Sequence, residues 1–182
     1  MPYPYDFDEF LRACERARTK PSEHVLLVFA GQSKLEHWKN DVLAARYVIS
    51  TGRNGLSCVE NSGGTPTGLH VVCEKIGDGE PLDSVFVGRK PIGKTWRELK
   101  AEGEPPEKAR VTTRILRLKG LEEGVNSGPG VDSCARYIYI HGTVFESEIG
   151  TPTSAGCITL LNRDILELFN AVPEGTLVHV TT

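Results

Sequence analysis

No run of about 18 apolar residues occurs anywhere in the chain, so no membrane-spanning helix is expected. Basic charge is not in excess either. Lys and Arg number 21 against 24 Asp and Glu, for a net charge of -3 and a pI near 6.0. A chain so balanced lacks the cationic surface that holds a phosphate backbone against salt, which argues against nucleic acid as a partner. C-x-x-C is absent although there are five cysteines, Cys14, Cys58, Cys73, Cys134 and Cys157. An odd count leaves at least one thiol unpaired in an exported protein, and spacing assigns no disulfide connectivity to the rest. The five histidines form no H-x-x-x-H pair, so neither a metal nor another cofactor is expected. The opening residues MPYPYDFDEFLRACERARTK show no basic segment followed by an apolar one, so no secretory signal is legible. Internal repeats and low-complexity tracts are also missing.

With 182 residues, 39% hydrophobic and 25% charged, the chain suits a single core, and 19 Gly with 11 Pro predict many turns. Residues 6–18 read as an amphipathic helix, with Asp6 and Glu9 placed as a capping box and Phe7, Phe10, Leu11, Cys14 and Ala17 at helical spacing. The run HVLLVFA at 24–30 predicts a buried strand. Further short strands are expected at 46–51, 68–74, 84–89, 111–116, 136–141 and 176–181, between clusters of turn residues. That pattern predicts a mainly β, largely antiparallel domain. Residues 91–130, richer in Gly, Pro and charge, read as a long excursion with a helical patch at 96–101, a stretch of the kind that flanks a binding groove. Asn162 is placed to cap a helix that ends before Pro173, and a last strand follows.

Chemistry concentrates in GTPTG at 64–68, YIYIHGT at 137–143 and GTPTSAGCITL at 150–160. A cysteine nucleophile needs a base within hydrogen-bond reach and a group that orients the base. His141 ends a strand pattern, and Cys157 follows 16 residues later, after a loop long enough to return beside that strand. Gly156 permits close backbone approach, so N–H groups there can face a developing oxyanion. Spacing alone leaves two structural alternatives open, a hydrogen-bonded histidine and a small buried cysteine.

Taken together, T-P-T-G, Y-I-Y-I-H-G-T and S-x-G-C-I resemble the catalytic domain of L,D-transpeptidases, the YkuD domain, from about His24 to the C-terminus. The resemblance implies a β-sandwich or barrel core at 23–182, carrying one or two short helices, with residues 1–22 as an N-terminal helical extension. It implies that Cys157 attacks an acyl carbonyl, that His141 is its base, and that the Gly142 carbonyl orients the imidazole. Ser154 would shape the loop, and the N–H groups of Ala155, Gly156 and Cys157 would hold the oxyanion. The implied acyl donor is a peptidoglycan tetrapeptide stem, cut before its terminal D-alanine. The implied acceptor is an amine of a second stem or a protein lysine, with carbapenem β-lactams as inhibitors. The alternatives are water as acceptor, giving an L,D-carboxypeptidase or endopeptidase, and a wall-binding module of weakened activity. The resemblance implies work in the periplasm, or in the cell envelope or extracellular space, so a trimmed signal or another export route is expected. Two departures stand out. Many members carry His or Lys before the Gly-Cys and Arg after the Ile, where this chain has Ala155 and Thr159. Two cations near the nucleophile are thereby missing, and Arg114 and Arg136 are the candidates to replace them, with a solvated surface role as the alternative.

Overall fold

The apolar run at 24–30 becomes β1 (His24–Phe29), and every residue of it is buried. Alternation explains how. Val25, Leu27 and Phe29 point to one face of the sheet, and Leu26 and Val28 to the other. The computed structural model describes residues 7–182. Helix α1 (Phe7–Arg16) packs Phe7, Phe10, Ala13 and Cys14 onto the first face, against Leu69 and Leu177. Asp6, its expected cap, lies outside the described residues. The helix stops two residues before the expected end because Arg18 turns left-handed, at φ 52°, and the Thr19 N–H reaches back to the Cys14 carbonyl at 3.0 Å. Both are marks of a Schellman ending.

The other face carries the main core, which α3 (Asn162–Ala171) covers with Ile165, Leu168 and Phe169. Among the described residues ten strands form one sheet, and the fold is mainly β. Besides β1 they are β2 (Lys34–Lys39), β3 (Val42–Val48), β4 (Gly68–Ile76), β5 (Ser84–Val87), β6 (Lys90–Thr95), β7 (Val111–Gly120), β8 (Tyr139–Thr143), β9 (Ile158–Leu160) and β10 (Leu177–Thr181). The order is β3-β2-β1-β10-β4-β7-β5-β6, and β8 branches from β7 to carry β9. Pairing is antiparallel except for β1 with β10 and β8 with β9.

Strands β2, β6 and β9 were not expected from the pattern, and two others lie a few residues from their expected places, β3 earlier and β8 later. The stretch 91–130 is only partly an excursion. It contains the short helix α2 (Trp96–Ala101), capped by a Thr95–Glu98 capping box, and the long strand β7. That strand is the hub of the sheet, pairing with β4, β5 and β8.

Candidate active site

Where β7 passes β8, the register shifts between Thr112 and Ile115, and Thr113 takes φ 68°. Left-handed backbone is rare for a β-branched residue, so this bulge is held by its surroundings. Asn162 holds it. The hydroxyls of Thr112 and Thr113 both donate to Asn162 Oδ1 at 2.6 Å, and Asn162 Nδ2 donates to the Thr143 carbonyl at 3.0 Å. Asn162 is therefore not the cap expected of it. Leu161 occupies the cap position, while Asn162 begins the helix and donates its N–H to Glu146 at 2.7 Å. A side chain at Gly142 would collide with Asn162 Oδ1 and would lie 2.8 Å from the Thr112 carbonyl. Glycine is thus required at the residue whose carbonyl meets His141.

His141 is buried in β8, between Ile115 of β7 and Thr159 of β9. Its Nδ1 lies 2.6 Å from the Gly142 carbonyl. A carbonyl only accepts, so Nδ1 carries the proton and Nε2 presents a lone pair. Among the described residues no hydrogen-bond partner meets Nε2. Burial pushes the imidazole down to about 4, against a smaller opposing effect of the Gly142 hydrogen bond.

Cys157 comes immediately before β9. Its thiol donates to the Tyr137 carbonyl and accepts the Tyr139 N–H, both at 3.4 Å. Burial pushes this thiol up to about 11, and the Tyr139 N–H and the Arg136 charge act weakly the other way. Cys157 and His141 line one pocket of about 220 Å³, together with Arg53, Arg110, Ser154 and Thr159. The two side chains share that groove, but the hydrogen bonds of the thiol go to backbone rather than to the imidazole.

The loop ahead of Cys157 is fixed by backbone. Thr153 and Ser154 donate to the Thr51 carbonyl, and Arg53 donates to that of Ser154. The Ser154 hydroxyl donates to the Cys157 carbonyl at 2.6 Å and accepts the Gly156 N–H at 3.1 Å. Of the three N–H groups expected to face an oxyanion, that of Gly156 is thus engaged by Ser154, which leaves those of Ala155 and Cys157. Gly156 has φ 127°, and a side chain there would lie 2.9 Å from the Gly64 carbonyl, so the T-P-T-G segment and the cysteine loop touch.

Arg136 clamps that contact. Its guanidinium donates to the carbonyls of Ser57 at 3.0 Å and Gly64 at 2.7 Å, and its charge favours the Cys157 thiolate. Arg114, the other candidate cation, donates to the Thr113 carbonyl at 2.6 Å and lies over the Phe169 ring. Sequence reasoning missed Arg53, Arg110 and the Asn162 hub. All three reach the site through pairings that local pattern does not encode. Among the described residues no group of three or more His, Cys, Asp or Glu is set to hold a metal, and all five thiols are unpaired.

A family model, the L,D-transpeptidase catalytic domain YkuD, matches residues 23–180. A Bacillus subtilis protein classed with the L,D-transpeptidases, YqjB, is 34% identical over 98 residues, 49% of this chain and 55% of that protein. YkuD of Bacillus licheniformis is 55% identical over 42 residues, 23% of this chain and 26% of that one. The alignments thus span from a quarter to about half of the length of these relatives. Among solved structures, L,D-transpeptidase 3 of Mycobacterium tuberculosis, in complex with a faropenem-derived adduct, superposes at TM-score 0.55 and 18% identity, over 90% of this chain and 62% of that one. An imipenem complex of another LD transpeptidase gives 0.52 at 15% identity, over 87% and 59%. These likenesses establish a common fold. With the family model covering all but the first 22 and last two residues, the chain belongs to the L,D-transpeptidase catalytic domain family.

Proposed function

We propose that this protein is a cysteine-dependent L,D-transpeptidase acting on peptidoglycan stem peptides through a thioester, with Cys157 as nucleophile and His141 as base. One observation carries the reading. The imidazole is held through Nδ1 by Gly142, which leaves the Nε2 lone pair uncommitted, and His141 lines the same pocket as Cys157. With the thiol near 11 and the imidazole near 4, both groups rest neutral, a thiol and an unprotonated imidazole. Attack then couples bond making to proton transfer. As Sγ bonds to the carbonyl carbon, its proton passes to Nε2, and the N–H groups of Ala155 and Cys157 receive the oxyanion. The C–N bond to D-alanine breaks, the departing nitrogen takes the proton back from Nε2, and the thioester remains. An amine of a second stem then attacks, gives its proton to Nε2 and releases the thiolate, which recovers that proton.

We take residues 23–182 as the catalytic unit and 1–22 as an extension whose helix covers the outer face of the sheet. The site of work is the cell envelope, where the polymer lies. β-Lactams bound in relatives of the same fold support carbapenems as acylating inhibitors of Cys157. Mass spectrometry of muropeptides after incubation with the protein tests the reading. Loss of D-alanine with new cross-links is expected. Shortened stems without cross-links would assign water as the acceptor, and unchanged muropeptides would refute the reading.

A further inference from the structure

The positions that lack the family's basic residues, 155 and 159, adjoin a single partner segment. Ser50 bridges Thr159 in antiparallel fashion, and Gly52 bridges Ser154 in parallel. Arg53 follows directly, its N–H on the Ser154 carbonyl at 2.8 Å, and its side chain lines the pocket that holds Cys157 and His141. Two arginines, Arg53 and Arg110, line this pocket, and Arg136 acts on Cys157 by its charge from outside the lining. The Arg110 guanidinium is paired with Glu104, and that of Arg136 is taken by the carbonyls of Ser57 and Gly64. Arg53 makes one long contact, from Nε to the Ser154 carbonyl at 3.5 Å, and among the described residues no carboxylate pairs with it. An arginine fork that is unpaired, anchored by its own backbone and open to a catalytic pocket is built to take a carboxylate in bidentate fashion.

We infer that Arg53 is the carboxylate-binding residue of this site, supplying from the loop after β3 the positive charge absent at Ala155 and Thr159. This rests on the acyl-transfer reading and adds the anionic group the substrate must carry. Two carboxylates of a stem peptide qualify, the terminal one on the departing D-alanine and one on the side chain of the acyl-donating residue.

Two measurements decide it. Alkylation of Cys157 by anionic iodoacetate and by neutral iodoacetamide, read on the Cys157 peptide by mass spectrometry, reports anion attraction whatever the protein does to cell wall. Arg53→Ala should lower the iodoacetate-to-iodoacetamide rate ratio about threefold to fivefold, the scale of one exposed charge pair, with Arg53→Lys nearer to wild type. An unchanged ratio in Arg53→Ala would overturn the assignment. With stem tetrapeptides, Arg53→Ala should raise KM about tenfold while kcat stays within about twofold. Amidating the terminal carboxylate and the side-chain carboxylate separately identifies the source, because the amide that removes the difference between wild type and Arg53→Ala names the group. If wild type processes no stem peptide yet the alkylation ratio falls, the anion site stands and the wall-peptide reading fails. If stems are processed and the ratio does not move, the reverse holds.

Discussion

His70 and His141 are near twins by environment and opposites by capacity. Both are buried, and burial pushes each down to about 4. Each sets Nδ1 on a glycine carbonyl, Gly68 at 3.0 Å and Gly142 at 2.6 Å. They part at Nε2. That of His70 meets the buried Ser133 hydroxyl at 2.9 Å, whereas that of His141 has no such partner among the described residues, and His141 lines a pocket. A depressed imidazole is therefore no mark of a catalytic base in this protein. What separates the proposed base from the strut is a lone pair left uncommitted in the pocket that the proposed nucleophile also lines.

The comparison can be broken from either end. The largest effect should come from the thiol itself. Cys157→Ser should abolish turnover with stem peptides, since a serine of ordinary acidity is a poor nucleophile beside so weak a base. Next, His141→Gln should lower the acylation rate at least about a hundredfold, whereas His70→Gln should leave it within about threefold and lower the melting temperature instead. Equal losses in the two variants, followed as acyl-enzyme formation, would erase the distinction drawn here.

Asn162 separates support from chemistry. Asn162→Ala strands two buried threonine hydroxyls and the Thr143 carbonyl, and should cost about 2 to 3 kcal/mol in denaturant unfolding. Because the same side chain backs Gly142, acylation should also slow, by about tenfold, with a changed pH profile. A stability loss without any kinetic change would confine Asn162 to the core.

Acid sharpens the likeness of the two histidines. Both fold with pKa values near 4, below the ordinary value of 6.5, so the unfolded chain binds more protons between those limits. Their contribution to stability is complete above about pH 6.5 and is lost as pH falls through about 4. His70→Gln and His141→Gln should each make that acid limb shallower in chemical unfolding followed across pH. The smallest effect is at position 159. Thr159→Arg should lower the apparent pKa of iodoacetamide labelling at Cys157 by about one unit, from a value that burial holds near 11. An unchanged value would leave that position a role in specificity alone.

Much of this was legible in the chain, and the gaps have physical causes. HVLLVF announced a strand buried on both faces, and the spacing of His141 and Cys157 put both on one groove. Strand β2 was hidden by its charge. Glu36 in KLEHWK is buried only because Arg46, Lys34 and the Trp38 indole surround it, partners that appear only after folding. Strand β6 contains Pro91 and Gly93, tolerable because it is an edge strand, and β9 is three residues long. The role of Asn162 was misread because Asn before a helical pattern ordinarily signals a cap, whereas here its carboxamide is drawn inward by two threonines of a distant bulge. Arg53 stands in TGRNG, which reads locally as a turn. Only its pairing with the cysteine loop brings it to the pocket.

The most direct test is to trap the acyl-enzyme. Brief incubation with a stem tetrapeptide, then acid quench and peptide mapping by mass spectrometry, should find the acyl fragment, less D-alanine, on Cys157. The adduct should be labile to hydroxylamine, formed normally in His70→Gln and nearly absent in His141→Gln. An adduct on another residue, or one formed as fast without His141, would contradict the account.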